Sequence, residues 1–141
     1  EVTGTEQKEL QTVGTLKTVI SQIKHLKSGE TIGYSRKGIL EKDSKIATIA
    51  IGYADGFSRS FSKGVGAVMI NGKRAPVFGN VCMDMTMVDI TNIEANEGDD
   101  VIVFGEGLPI HEVATSAKTI PYEILTNTSE RVKRIFFTDS F

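Results

Sequence analysis

Cysteine, histidine, long apolar runs and positive charge in excess are all scarce in this 141-residue chain, and each scarcity removes a class of protein. The single cysteine, Cys82, leaves no internal disulfide and fits a reducing cytoplasm. Two histidines beside it make a poor donor set for a structural zinc centre. No apolar run approaches the ~20 residues that cross a bilayer as a helix, and the first residues lack a signal-peptide pattern. Lys+Arg number 16 against 18 for Asp+Glu, a net charge of -2. That balance argues against a general polyanion binder, which needs a basic excess to release counterions. No Pro/Ser-rich linker, repeat or low-complexity tract divides the chain, so residues 1–141 read as one domain. Such a length buries a workable core without staples. An initiator Met is also missing, and the expectation is a piece of a longer protein. Residues 1–13 are then a linker or helix stub, with Thr3 and Glu6 at capping-box spacing.

What is present is mostly strand signal. In residues 15–26 (TLKTVISQIKHL) the apolar positions follow helical spacing, yet Thr15, Thr18, Val19, Ile20 and Ile23 are β-branched and suit a pleated surface. The segment reads as a strand ending at Ser28-Gly29. Residues 45–51 (KIATIAI) suit a strand buried on both faces. Residues 65–70 and 73–78 flank Asn71-Gly72, a pair that tolerates the positive φ of a type I′ hairpin turn. Pro76 belongs at an edge or bulge. Residues 81–90 (VCMDMTMVDI) read as an alternating strand with Val81, Met83, Met85 and Met87 on one face. Residues 101–104 and 131–137 read as further strands. His111–Ala117 and Pro121–Leu125 read as short helical turns, with Pro121 at a first helical position. Seven or so short strands separated by turns imply a β-sandwich or barrel.

Catalytic signal within the chain is thin. No phosphate loop of known spacing and no defensible Ser-His-Asp order is present. Gly52-Tyr53-Ala54-Asp55-Gly56 stands out, because a buried strand runs straight into it and Arg59 follows. Its structural reading is a tight turn whose tyrosine closes the barrel end. Tyr34, after Gly33, also reads structurally at first: a phenol becomes a general base only if neighbours lower its pKa from ~10, and nothing in this chain obviously does so. Cys82 reads as a small core hydrophobe rather than a nucleophile. Asp84, between two methionines, must face solvent or be paired. His25 and His111 carry no assigned role, and the Arg131–Arg134 stretch reads as a solvated edge.

Taken in order, the residues resemble a family. Gly33-Tyr34, Ile51-Gly-Tyr-Ala-Asp-Gly56, Arg59, Asn71-Gly72, Pro76, Gly79, Val81-Cys-Met-Asp-Met85, Pro121-Tyr-Glu123 and Arg131-Val-Lys-Arg134 resemble the C-terminal domain of alanine racemase. The likeness covers residues ~14–137, and GYADG with VCMD at this spacing is its specific part. It implies a mainly β fold, a partly open barrel of about seven to eight short strands with one or two short helical turns.

The resemblance further implies a full protein that interconverts L- and D-alanine for peptidoglycan synthesis in the cytoplasm. Pyridoxal phosphate would sit on a lysine of an N-terminal β/α barrel that precedes this domain. Two chains would pair head to tail, each β domain completing the partner's site. Tyr34 then matches the second base, whose phenol is tuned by groups of the barrel. Tyr53 and Arg59 match residues of the substrate corridor. Met83 matches the residue whose N–H holds the substrate carboxylate, and Tyr122 matches a tyrosine that hydrogen-bonds the cofactor phosphate. Departures occur at Ser35-Arg36-Lys37, where many members carry smaller residues, and at Asn80, where some carry Arg. Alternatives are a serine or broad-specificity racemase, a fold-type decarboxylase (disfavoured by Cys82-Met83-Asp84), and a non-catalytic β interaction module.

Overall fold

The computed structural model describes residues 12, 14–32 and 38–138. Eight strands and two short helices alternate with tight turns: β1 (Leu16–Leu26), β2 (Thr31–Ile32), β3 (Gly38–Ile39), β4 (Ser44–Ile49), β5 (Ala67–Ile70), β6 (Lys73–Phe78), β7 (Thr86–Asp89), β8 (Asp100–Phe104), α1 (Ile110–Ser116) and α2 (Pro121–Asn127). Six of the strands form one antiparallel ring in the order β1-β4-β7-β6-β5-β8, and β8 closes it by pairing with β1. The expected barrel is therefore present, and it is closed. Among the described residues the other two strands, β2 and β3, pair with each other.

β1 resolves the ambiguity of the first apolar segment in favour of its β-branched residues. It is 11 residues long and serves two neighbours. Leu16–Val19 pair with β8, and the part from Ile20 onward pairs with β4. The register shifts between Ile20 and Gln22, and such a bulge bends one long strand around a barrel corner. The β5–β6 hairpin turns on Asn71 and Gly72, at φ 48° and 78°, the positive pair that a type I′ turn demands. Pro76 lies exposed in β6 opposite Ala67; β6 is no edge strand, but its pairing with β7 covers only Val77 and Phe78, so Pro76 sits just outside that ladder.

The barrel interior is filled by alternate residues from each strand: Ile20, Ile49, Val68, Ile70, Val77, Val88 and Val101 are all 3% exposed or less. Phe57 and Phe61 plug one side, their rings stacked at 4.7 Å between centroids and both buried. α1 adds Val113 and Ala114 to the buried set, and Ile124 of α2 packs against it. Pro121 occupies the expected first helical position.

Two expectations fail. Residues 81–90 do not form one alternating strand. The Cys82 N–H donates to the Met85 carbonyl at 3.0 Å, which folds residues 82–85 into a tight loop before β7 begins. Thr86, Val88 and Ile90 consequently face inward, while Met83 and Met85 are exposed. Residues 131–137 form no strand either. The Arg134 guanidinium donates to the carbonyls of Thr128, Ser129 and Val132 at 2.9–3.1 Å, which folds the segment back on the end of α2 instead of pairing it with a sheet.

Candidate functional site

The site grows out of the end of β4. The chain leaves the barrel at buried Ile51 and Gly52 and enters a 3-10 turn over Tyr53–Asp55. Asp55 folds back to accept the Gly52 N–H at 2.9 Å. Gly56 ends the turn at φ 105°, a left-handed conformation that side chains resist. A Cβ there would also lie 2.2 Å from the Asn127 carbonyl oxygen, so α2 ends directly against this turn.

This turn is laid on the 82–85 loop. The Tyr53 N–H donates to the Cys82 carbonyl at 2.9 Å, and the Ala54 N–H to the Met83 carbonyl at 3.0 Å. Gly52 makes the approach possible, since a Cβ on it would stand 2.3 Å from the Cys82 oxygen. Beneath them the Thr86 hydroxyl, fully buried, donates to the Ile51 carbonyl at 2.7 Å. Tyr53 and Met83 are thereby held on adjacent segments, 47% and 54% exposed. Among the described residues the Met83 N–H has no acceptor.

Sequence reasoning missed the group that joins these parts. In sequence Arg131 reads as part of a solvated edge. Its Nε donates to Asp55 Oδ1 at 2.6 Å and its Nη2 to Asp84 Oδ1 at 2.5 Å. The Asp55 carboxylate is only 13% exposed, and it contributes most to raising the guanidinium's pKa above its ordinary value, followed by Asp84. The separations of 76 and 47 residues leave no local pattern that could have signalled the contact.

The other candidates fall as follows. Tyr122 projects from α2 and is highly exposed. Arg59 is exposed on the 3-10 turn Arg59–Phe61 and forms no ion pair among the described residues. Tyr34 lies outside the described residues, in the five positions between β2 and β3. Tyr53 does not pack into the barrel end as expected, being 47% exposed, whereas Phe57 and Phe61 after it are buried and stacked. Cys82 is half-buried with its Sγ 3.6 Å from the Asn80 carbonyl. No helix among the described residues is long and apolar enough to cross a membrane. A cleft of ≈ 370 Å³ between β5, β6 and α1, lined by Phe61, Val65, Arg74, His111 and Glu112, contains none of the candidates.

The family model for the C-terminal domain of alanine racemase matches residues 13–136. The chain belongs to the alanine racemase C-terminal domain family. It is 44% identical to the alanine racemase of Alteromonas mediterranea over 128 residues, 90% of this chain and 36% of that protein. It is 39% identical to that of Helicobacter pylori over 140 residues, 96% of this chain and 37% of that protein. In structure it resembles alanine racemase from Bartonella henselae with covalently bound pyridoxal phosphate, with a TM-score of 0.83 and 36% identity over 87% of this chain and 34% of that one. The chain thus spans about a third of the length of the relatives it matches. As an alanine racemase C-terminal domain it brings Tyr53 and Met83 side by side on an open surface, flanked by α2 with Tyr122.

Proposed function

We propose that this chain is the C-terminal β domain of a pyridoxal phosphate-dependent alanine racemase that interconverts L- and D-alanine. The observation that carries the reading is the family match over residues 13–136. An exposed Tyr53–Met83 pair on two hydrogen-bonded turns, together with an unburied Tyr122, supports it. Apolar and aromatic groups left open in this way suit a surface that another domain covers.

In this reading pyridoxal phosphate, which a lysine of the barrel would hold, would supply the electron sink for the substrate Cα. Tyr122 fits that group from this domain: its phenol is 71% exposed and accessible to a phosphate oxygen. The Met83 N–H, which no described acceptor claims, donates to the substrate carboxylate and sets its orientation. Tyr53 narrows the approach, and the Arg59 cation attracts the carboxylate along it. In the L-to-D direction Tyr34 takes the α-proton from the L face and a lysine outside this chain delivers one to the D face; in the reverse direction the lysine takes the proton and Tyr34 delivers one to the L face. Barrel groups must supply the charge that draws the Tyr34 phenol down from ~10. The active protein is a head-to-tail homodimer in the cytoplasm, feeding D-alanine to peptidoglycan synthesis. Tyr34, Tyr53 and Met83 complete the partner's site, and Tyr122 serves its own chain's.

The test is solvent deuterium wash-in at Cα, measured on the full-length protein with and without Tyr34→Phe. Wash-in lost from L-alanine but kept from D-alanine is expected. Equal wash-in from both isomers, untouched by the substitution, would remove Tyr34 from the chemistry.

A further inference from the structure

Arg131 adds a side-chain link between the turn that carries Tyr53 and the loop that carries Met83. Asp55 closes the turn that carries Tyr53, and Asp84 follows Met83 in the neighbouring loop. Two backbone hydrogen bonds link these segments on one side, at Tyr53–Cys82 and Ala54–Met83. On the other side the link is the guanidinium, which spans Asp55 Oδ1 and Asp84 Oδ1. The fork geometry of arginine fixes both carboxylates in direction as well as distance, which a point charge does not do. Asp55 is also anchored through its second oxygen to the Gly52 N–H and through its carbonyl to the Ser129 N–H at 3.0 Å. Ser129 lies just beyond α2, so the helix bearing Tyr122 is tied to the same point.

A half-exposed ion pair contributes little to global stability. The arrangement makes sense as positioning, because without the guanidinium two carboxylates of like charge would face each other across the junction.

We propose that Arg131 is a positioning residue for substrate binding: by bridging Asp55 and Asp84 it fixes the Tyr53 turn against the Met83 loop, and so sets KM for the amino-acid substrate. The inference rests on the racemase reading above.

The test uses the full-length protein loaded with pyridoxal phosphate, as wild type, Arg131→Met, Asp84→Asn and the double variant. Arg131→Met should raise KM for L-alanine about tenfold, the worth of one well-placed hydrogen bond to a charged group, with kcat changed less than about threefold. Asp84→Asn should raise KM in the same direction, and the double variant should be no worse than Arg131→Met. Arg131→Lys should recover part of the loss. Amide hydrogen exchange, read without substrate, should speed up at residues 52–56 and 81–86 and stay unchanged in the β5–β6 hairpin. An unchanged KM, multiplying effects in the double variant, or unchanged exchange at both turns would each overturn the proposal. If Arg131→Met fails to fold, Asp84→Asn carries the same two readouts. Wild-type protein without racemase activity would overturn the functional reading and the KM claim with it, whereas the exchange data still decide whether Arg131 ties the turns.

Discussion

Gly52→Ala isolates the contact on which the site is built. Gly52 has φ -149° and ψ -167°, extended backbone that alanine adopts freely, so conformational strain contributes nothing. The damage comes from space alone. The new Cβ would stand 2.3 Å from the Cys82 oxygen and 2.4 Å from the Met83 oxygen, and both are backbone atoms that no rotamer change can move. Relief to an ordinary limit near 3 Å requires the turn and the loop to part by roughly 0.7 Å. The same movement carries the Tyr53–Cys82 and Ala54–Met83 hydrogen bonds, now 2.9 and 3.0 Å, to roughly 3.6 Å, beyond useful bonding. Two hydrogen bonds at about 0.5–1.5 kcal/mol each, with an overpacking term of about 1–3 kcal/mol, give a loss of about 3 kcal/mol. Thermal and urea unfolding of the 141-residue chain measure it, the expected fall in midpoint being roughly 10 °C. Gly14→Ala is the control, since a Cβ there meets nothing within 4 Å among the described residues, and its effect should stay within about 0.5 kcal/mol. A Gly52→Ala loss below about 1 kcal/mol would refute the reasoning: the 82–85 loop would be compliant, and the close approach would not be what holds Tyr53 and Met83 together.

Thr86→Val keeps the buried volume but removes the hydroxyl that donates to the Ile51 carbonyl at 2.7 Å. A loss of about 1–2 kcal/mol in urea unfolding is expected, and a neutral or stabilising result would mean that the carbonyl finds another donor. Asp99 accepts from the Asn96 N–H at 2.9 Å and the Asn71 amide at 3.1 Å. These bonds, the Asn96 one foremost, hold its carboxyl below the ordinary carboxylate value, with burial opposing them weakly. A depressed folded-state pKa means stability that is present above the unfolded-state value and is lost as pH falls through the folded one. Urea midpoints from neutral to strongly acidic pH should therefore fall more steeply in wild type than in Asp99→Asn, and parallel curves would refute the assignment.

The parts of the molecule that local chemistry controls were legible in the sequence, and the parts that long-range contacts control were not. Asn71-Gly72 demanded its hairpin because both residues must take positive φ, and no tertiary contact is needed for that. The β-branched residues of β1 outweighed a helical spacing of apolar positions, since only Ile20 among them is fully buried and a helix face was never required. The stretch 81–90 misled because alternation continues on paper through a loop. Period alone cannot register that the Cys82 N–H bonds to Met85 and takes residues 82–85 out of the sheet. Arg131 misled for a deeper reason. A basic residue in a polar tail looks like any solvated charge until the fold brings together two carboxylates that lie far from it in sequence. The motifs GYADG and VCMD named the two turns but not the clasp between them. Each motif contains one of the two aspartates; Asp55 accepts the Gly52 N–H within its own turn, but neither motif holds a cation. A carboxylate in a turn whose motif holds no cation is thus a signal in its own right: it calls for a distant one, and here Arg131 supplies it.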